Sequence, residues 1–173
     1  MATQARAGVP GTETGHVIRD SSLGLVPETI DAILKLQDLI WHHSSIGPAL
    51  SETLRLRNAN AVNCVICRNV RYDIARKDGL TEDQAANIGG AGGEAPLTDQ
   101  QRHAVAFADL YLQDPRRRDS DLAAALQDRF TTEQICHMAI ALTFFNALSR
   151  CAVSLGGMPE AMPVTEVSVP TLR

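Results

Sequence analysis

Two cysteines in a Cys-x-x-Cys pair are the residues of this chain best suited to chemistry. Cys64 and Cys67 stand in the segment ETLRLRNANAVNCVICRNVR, with Glu52 twelve residues before the first cysteine and Arg71 four after the second. Residues three and four apart share one face of a helix, so a helix here would place both cysteines and Arg71 in one stripe. Ile66 would point away from that stripe. The spacing therefore predicts a thiol pair beside a fixed positive charge.

Either cysteine of the pair could be the more reactive one. The thiolate is the reactive form, and a free thiol with a pKa of about 8.5 is mostly protonated at neutral pH. Three asparagines in residues 58–63 resemble loop and cap residues, so Cys64 is expected near a helix start, where the dipole lowers a thiol pKa. The charge of Arg71 favours Cys67 instead. The residues alone leave both assignments open.

The pair could also close a disulfide. Helical residues at this spacing have Cβ atoms about 5–6 Å apart, and a relaxed disulfide needs about 3.8 Å. A small local adjustment would close the bond, which suits a pair that cycles between dithiol and disulfide. Other interpretations are two buried small residues, or a zinc site that would need distant ligands such as Cys136 and His137. A thioredoxin-like motif needs a βαβ setting, and no strand pattern flanks the pair.

The segment resembles the alkylhydroperoxidase AhpD-like branch of the carboxymuconolactone decarboxylase family. Glu52, Cys64 and Cys67 carry the resemblance at their spacings, together with Gly79-Leu80-Thr81, and it is strongest over residues 50–90. In redox-active members the two cysteines reduce a hydroperoxide and close to a disulfide, while the glutamate and two histidines relay protons. The resemblance implies that Cys67 attacks, Cys64 resolves and Glu52 is the relay carboxylate.

Two positions depart from the family pattern. Ile66 stands where a histidine or another polar or aromatic residue is common, and Arg71 stands where the family has histidine. Arginine stays protonated in proteins, so Arg71 can stabilise a thiolate but cannot shuttle protons. A complete relay would need another imidazole, such as His42, His43 or His103, to fold into the site.

Composition and charge bound the class of protein. A chain of 173 residues suits a single domain. Its apolar share is 45% but its aromatic share only 4%, which predicts an aliphatic core of packed helices. The net charge of −4 gives no reason to expect nucleic-acid binding. No signal-peptide pattern or run of transmembrane length stands out, so we expect a cytoplasmic protein without a membrane partner, whose thiols are kept reduced.

Capping and breaker residues divide the chain into predicted helices. Pro27 and Pro48 stand at first-turn positions. A single cysteine-bearing helix is predicted from residue 61 to residue 78, ending before Gly79. Three Thr-x-x-Gln capping boxes open later helices, and they begin at Thr81, Thr98 and Thr131.

The last predicted helix ends at Leu155 and is apolar almost all round. Such a helix is expected to be central to a domain or buried between subunits. Cys136 and Cys151 both lie on it, about 22 Å apart at 1.5 Å per residue. They therefore cannot bond to each other, and we expect both to be buried small residues.

These elements predict an all-α fold, and the resemblance implies an AhpD-like bundle of six or seven helices with a central helical hairpin carrying the cysteine pair. Residues 1–22 are predicted to form a flexible arm, 23–157 a single helical domain and 158–173 an extended tail. The glycine-rich residues 89–93 are expected to form a flexible connection. The resemblance also implies a homo-oligomer, either a trimer or a hexamer.

The resulting functional hypothesis is a cysteine-dependent hydroperoxide reductase or thiol–disulfide oxidoreductase. Its catalytic residues would be Cys67, Cys64, Glu52 and Arg71, and its substrate a hydroperoxide or another small molecule. An external dithiol, free or carried by a protein, would restore the pair, with no metal and no further cofactor. Two alternatives stay open: a lactone enzyme of the decarboxylase branch without redox cycling, and a non-catalytic helical scaffold or small-molecule binder.

Overall fold

A computed structural model describes residues 4–11, 13–16, 18–90 and 96–169 of the protein. This part of the chain contains eight α-helices and two short strands. A short 3₁₀ turn, Ser22–Leu25, precedes the first helix. The helices are α1 (Pro27–His42), α2 (Pro48–Ala61), α3 (Val65–Asn69), α4 (Asp73–Lys77), α5 (Glu82–Ile88), α6 (Asp99–Gln113), α7 (Ser120–Arg129) and α8 (Thr132–Leu155). The strands are β1 (Val70–Tyr72) and β2 (Thr165–Val167). The helical class is confirmed, and the helix count exceeds the predicted six or seven.

The extra helix arises because the predicted continuous helix over residues 61–78 is wrong. That segment divides into a turn, α3, β1 and α4. In an unbroken helix the Cys67 carbonyl would accept from the amide of residue 71. Here it accepts instead from Arg55 Nη1 at 2.6 Å, and Arg55 Nη2 binds the Val70 carbonyl at 2.6 Å. The buried guanidinium of Arg55 on α2 thus binds carbonyl groups that would otherwise have continued the predicted helix.

Helix α2 runs through the centre of the fold. It packs against α8 and α6, and also against α1, α4 and α5. Leu54 and Ala59 are fully buried on it, and so are the polar residues Ser51, Glu52 and Thr53. A helix buried on nearly every side must satisfy its polar groups internally, and this explains why its charged residues are paired.

Helix α8 buries one face against α2 and exposes the other. Its buried side chains are Met138, Ala141, Leu142, Phe144, Phe145 and Ser149. Ile140 is 49% exposed, and Cys136 and Cys151 are exposed, so the prediction that both cysteines are buried is wrong. Among the described helices, α8 alone has the length and composition to cross a membrane. That is weak evidence, since core helices of soluble proteins have the same composition.

The three predicted capping boxes are confirmed in full. In each one the threonine hydroxyl accepts from the backbone N–H of the glutamine, and the glutamine side chain accepts from the threonine N–H. The boxes are Thr81 with Gln84, Thr98 with Gln101, and Thr131 with Gln134. These local signals therefore set the starts of α5, α6 and α8.

Described segments near both ends of the chain contact the helical domain. Strand β2 pairs with β1 in parallel, with Arg71 opposite Glu166. The extended tail thus lies on its own chain, although residues 170–173 are outside the described part. Near the N-terminus, the backbone N–H of Arg6 donates to the Leu155 carbonyl at 2.6 Å. The predicted glycine connection falls mostly on residues 91–95, which are also outside the described part.

Candidate active site

The Cys64–Cys67 pair lies where α2 turns into α3. The two sulfurs form a disulfide, with Cα atoms 5.2 Å apart. Asn63 reverses the chain after α2 with a φ of 58°, and Cys64 follows as the N-cap of α3. The Cys64 sulfur accepts from the Cys67 backbone N–H at 3.2 Å. The expectations that Cys64 begins a helix and that the pair can close a disulfide are both confirmed.

The two sulfurs differ in exposure. Cys64 is fully buried. Cys67 is half-buried and lines a cavity of about 130 Å³, where the Ser149 hydroxyl donates to its sulfur at 3.5 Å. A small molecule entering this cavity would therefore meet Cys67 and not Cys64, a difference that the sequence could not decide.

The wall of the Cys67 cavity is mostly apolar. Its apolar side chains include Ile18, Leu23, Trp41, Ile66, Phe145 and Leu148. They come from the segment before α1, from α1, from α3 and from α8. Ile66 is thus beside Cys67, and the prediction that it points away is wrong because α3 is a single short helix turn. The cavity is suited to a small organic molecule with an apolar body.

Glu52 and Arg55 form a buried ion pair behind this cavity. Arg55 donates from Nε to Glu52 Oε2 at 2.6 Å and from Nη2 to Oε1 at 2.7 Å, and their side chains are 7% and 1% exposed. Burial acts to lower the pKa of Arg55, but the charge and hydrogen bonds of Glu52 outweigh it, so the pKa lies above its usual value. Arg55 is therefore a permanent cation.

Glu52 reaches the cysteines only through Arg55. Arg55 lines the Cys67 cavity and binds the Cys67 carbonyl, whereas Glu52 does not line that cavity. Arg55 also lies 5.3 Å from the centre of the Tyr72 ring. The Glu52–Arg55 spacing predicts a helical pair, but nothing in the sequence indicates that Arg55 holds the cysteine segment.

Arg71 lies elsewhere, and the predicted stripe with the cysteines is wrong. It is in the extended strand β1, and its Nη2 pairs with Glu82 at 2.8 Å. Its Nη1 donates to the carbonyls of Arg68 and Val70. Arg71 does not line the Cys67 cavity. The cation on the cavity wall is Arg55.

None of the three histidines predicted as relay partners lines the cavity. His42 Nδ1 binds Asp38 at 2.9 Å, His43 is exposed, and His103 Nδ1 binds a carbonyl of its own helix. His16, which the sequence did not single out, lines a neighbouring cavity with Tyr72. Burial, then the charge of Arg19, lowers the pKa of His16, so its ring is neutral at pH 7.

No metal cluster accompanies the cysteines. Among the described residues, no group of three or more His, Cys, Asp or Glu side chains is arranged to hold a metal ion. Cys136 lies exposed on α8 and His137 Nδ1 accepts from the Ser45 backbone N–H at 3.0 Å. In the part of the chain that the structure describes, the cysteines therefore form a disulfide and no group of metal ligands surrounds them.

Two solved structures resemble this fold closely. An uncharacterised peroxidase-related protein from Silicibacter sp. TM1040 superposes with a TM-score of 0.70 and 17% identity, over 91% of this chain and 92% of that one. A protein of unknown function from Agrobacterium tumefaciens, provisionally named antioxidant defence protein AhpD, gives a TM-score of 0.64 and 22% identity, over 79% of this chain and 94% of that one. At these sequence identities, the structural similarity establishes the fold alone.

Sequence relatives are uncharacterised. Two proteins of Mycobacterium tuberculosis, from strains CDC 1551 / Oshkosh and ATCC 25618 / H37Rv, are each 30% identical over 160 residues. The match covers 90% of this chain but spans only 54% of those relatives. No protein-family model matches the sequence.

Proposed function

We propose that this chain, whose fold is AhpD-like, is a cysteine-dependent hydroperoxide reductase of the AhpD-like family. One observation carries the proposal: a disulfide joins a buried Cys64 to a Cys67 that faces a small apolar cavity. A redox-active cysteine must be accessible to its substrate, and it often lies next to a second cysteine that resolves it. The names of the two structural neighbours, peroxidase-related protein and AhpD, fit this chemistry.

The proposed reaction begins with the dithiol form. The Cys67 thiol loses its proton, and the thiolate sulfur attacks one oxygen of a hydroperoxide, ROOH. An S–O bond forms, the O–O bond breaks, and the alkoxide takes up a proton to give ROH. The Cys64 thiol then attacks the Cys67 sulfenic acid, so that the disulfide forms and the hydroxyl leaves as water with the Cys64 proton.

The cycle closes when an external dithiol reduces the disulfide and is itself oxidised. Two electrons pass from that dithiol to the peroxide in each turnover, so no metal or organic cofactor is part of the proposal. A reducing compartment such as the cytoplasm would supply the donor. The donor is either a small dithiol or a dithiol carried by another protein.

Arg55 is the residue through which Glu52 would act. The Glu52 carboxylate fixes the guanidinium, and the guanidinium holds the Cys67 carbonyl. Glu52 therefore positions the attacking Cys67 through Arg55 and balances the positive charge of Arg55. Arg71 has no part in the proposed chemistry, because its guanidinium is bound to Glu82 and to carbonyls.

The assembly proposed for the working protein is a homo-oligomer of three or six chains. It rests on the family resemblance, and sedimentation equilibrium would test it. The expected mass is three or six times the 18.7 kDa of the chain. A mass of one or two chains would contradict it.

Peroxide turnover by cysteine variants tests the proposed function. The reduced protein is mixed with tert-butyl hydroperoxide and dithiothreitol, and peroxide loss is followed. Cys67→Ser should abolish turnover. When dithiothreitol, which would itself reduce a sulfenic acid, has been removed, pre-reduced Cys64→Ser should consume one equivalent of peroxide and keep a sulfenic acid on Cys67, whereas the wild type should close to the disulfide. Cys151→Ser, an exposed cysteine outside the cavity, should keep wild-type activity.

The outcomes separate the alternatives. If Cys67→Ser retains turnover, redox cycling through Cys67 is wrong. Lactone conversion that is independent of both cysteines would point to the decarboxylase branch. If the wild type neither consumes peroxide nor converts lactone, the chain is a non-catalytic scaffold or binder.

A further inference from the structure

Tyr72 contributes a ring with a hydroxyl group to the mostly apolar lining of the Cys67 cavity. It ends β1, directly after the segment that Arg55 holds, and it lines the same cavity as Cys67. Its ring contacts the Trp41 ring, with centres 4.5 Å apart, and the Arg55 guanidinium lies 5.3 Å from its centre. These two contacts, with the hydrogen bond from Gln37, fix where the hydroxyl lies.

Tyr72 and Gln37 together keep an unused hydrogen-bond donor on the cavity wall. The Tyr72 oxygen accepts from Gln37 Nε2 at 3.3 Å, and Gln37 Oε1 is buried without a partner. An amide turned the other way would accept from the Tyr72 hydroxyl and free Nε2 instead, so the pair offers a donor in either orientation. Burial raises the pKa of Tyr72, against a smaller opposing effect of Arg55. The hydroxyl therefore keeps its proton around neutral pH and remains a donor.

The other polar side chains on the cavity wall already have protein acceptors. Ser21 donates to the Ile18 carbonyl, Gln37 to Tyr72, Arg55 to Glu52 and two carbonyls, and Ser149 to the Cys67 sulfur. Among the described cavity residues, a second aromatic donor lacks an acceptor. Trp41 Nε1 is buried without a hydrogen-bond partner, and Trp41 is 2% exposed.

A buried N–H or O–H without a partner is costly and calls for an explanation. Here the Trp41 N–H is such a donor, the Tyr72 hydroxyl is carried by the neighbouring ring, and both residues line the cavity that holds Cys67. An oxygen atom of a bound molecule would satisfy them. In peroxide reduction the departing oxygen gains negative charge, and fixed donors stabilise such charge strongly.

We propose that Tyr72, with Trp41 beside it, forms the oxygen-binding site of the Cys67 cavity, where it holds the substrate oxygen that leaves as the O–O bond breaks. This inference rests on the proposed function, since it assigns the oxygen of that same reaction. The hydroxyl donates a hydrogen bond and keeps its proton. Gln37 positions it from the other side.

Tyr72→Phe tests the assignment because it removes one hydroxyl and keeps the ring contacts. Tyr111→Phe is the matched control, since Tyr111 is the second tyrosine of the chain and binds Thr143 outside the cavity. With tert-butyl hydroperoxide, Tyr72→Phe should lower kcat/KM about 10²-fold, as loss of one oxyanion donor does. Tyr111→Phe should match the wild type.

Ligand binding to the oxidised protein gives a readout that needs no turnover. Trp41 is the single tryptophan of the chain, so its fluorescence reports on the cavity. A site of this size accepts a benzene-sized ring. Tyr72→Phe should weaken benzyl alcohol binding about fivefold, the worth of one hydrogen bond, and leave binding of toluene unchanged.

The two readouts fail separately. If the wild type does not turn over peroxide but benzyl alcohol binding depends on Tyr72, the oxygen-binding site is supported and the proposed function is wrong. If Tyr72→Phe equals Tyr111→Phe in both assays, or weakens benzyl alcohol and toluene alike, the oxygen site is wrong. Circular dichroism of each variant confirms the fold, and absence of a saturable benzyl alcohol signal in the wild type would also overturn the inference.

Discussion

At the scale of single residues, Arg55 links the cysteine pair to the core. Its guanidinium donates two hydrogen bonds to Glu52, and it donates the others to the Cys67 and Val70 carbonyls. A charge buried this deeply is tolerated only when its partner stays in place. The position of Cys67 therefore depends on an ion pair between two residues three apart on α2.

Removing the Arg55 charge should be strongly destabilising. Arg55→Met leaves the Glu52 carboxylate buried without its cation, and breaking a buried pair in this way costs about 3–5 kcal/mol. Urea denaturation of the oxidised protein measures the free energy of unfolding. The matched control is Arg76→Met, because Arg76 and Glu166 pair with side chains 43% and 51% exposed. That change should cost at most about 1 kcal/mol, and equal losses in both variants would contradict this account.

At the scale of elements, the break between α2 and α3 decides which atoms meet. Asn63 adopts a left-handed backbone with φ of 58°, and asparagine is among the few residues that tolerate it. The turn ends α2 and lets Cys64 cap α3. Strand β1 then carries Arg71 away from the cysteines and brings Tyr72 to the cavity.

Substitutions at Asn63 should reveal the backbone requirement. Alanine is disfavoured in the left-handed region by about 1–2 kcal/mol, whereas glycine adopts it freely. We expect Asn63→Ala to lower the free energy of unfolding by at least about 1 kcal/mol more than Asn63→Gly. Urea titrations of the two variants make the comparison. Equal stability would mean that the turn imposes no such requirement.

At the scale of the whole molecule, the segment before α1 forms part of the wall around Cys67. Ile18, Ser21 and Leu23 line the Cys67 cavity although they lie over 40 residues earlier in the chain. No described side chain within residues 1–20 is fully buried. The segment is therefore a wall of the cavity and not a part of the core.

Deletion of residues 1–20 should open the cavity and leave the fold intact. After reduction, Cys67 should react several-fold faster with a bulky maleimide, because the wall that contains Ile18 is gone. Circular dichroism should show unchanged helix content. Cys136, exposed on the outer face of α8, is the internal control and should react at the same rate in both proteins. An unchanged rate at Cys67 would show that this segment does not limit access.

Local signals in the sequence were sufficient for most element boundaries. The three Thr-x-x-Gln boxes and the first-turn prolines predicted where helices begin, since capping involves atoms within four residues. The Cys-x-x-Cys spacing likewise predicted a disulfide, because both sulfurs lie on adjacent turns of chain. The resemblance carried by Glu52 and the cysteines indicated the fold that the structural neighbours establish.

Contacts between distant segments determined the remaining features of the fold and the site. No short stretch of the sequence indicates these contacts. The break of the cysteine helix depends on a guanidinium from α2 and on a tail strand from residues 165–167. Which sulfur is reachable depends on how α1, α8 and the first segment close around Cys67. Tyr72 also lines the cavity because of contacts between distant segments. Side-chain chemistry and spacing thus determined the disulfide pair, while packing across the chain determined its surroundings, because burial and hydrogen bonding are properties of the assembled core.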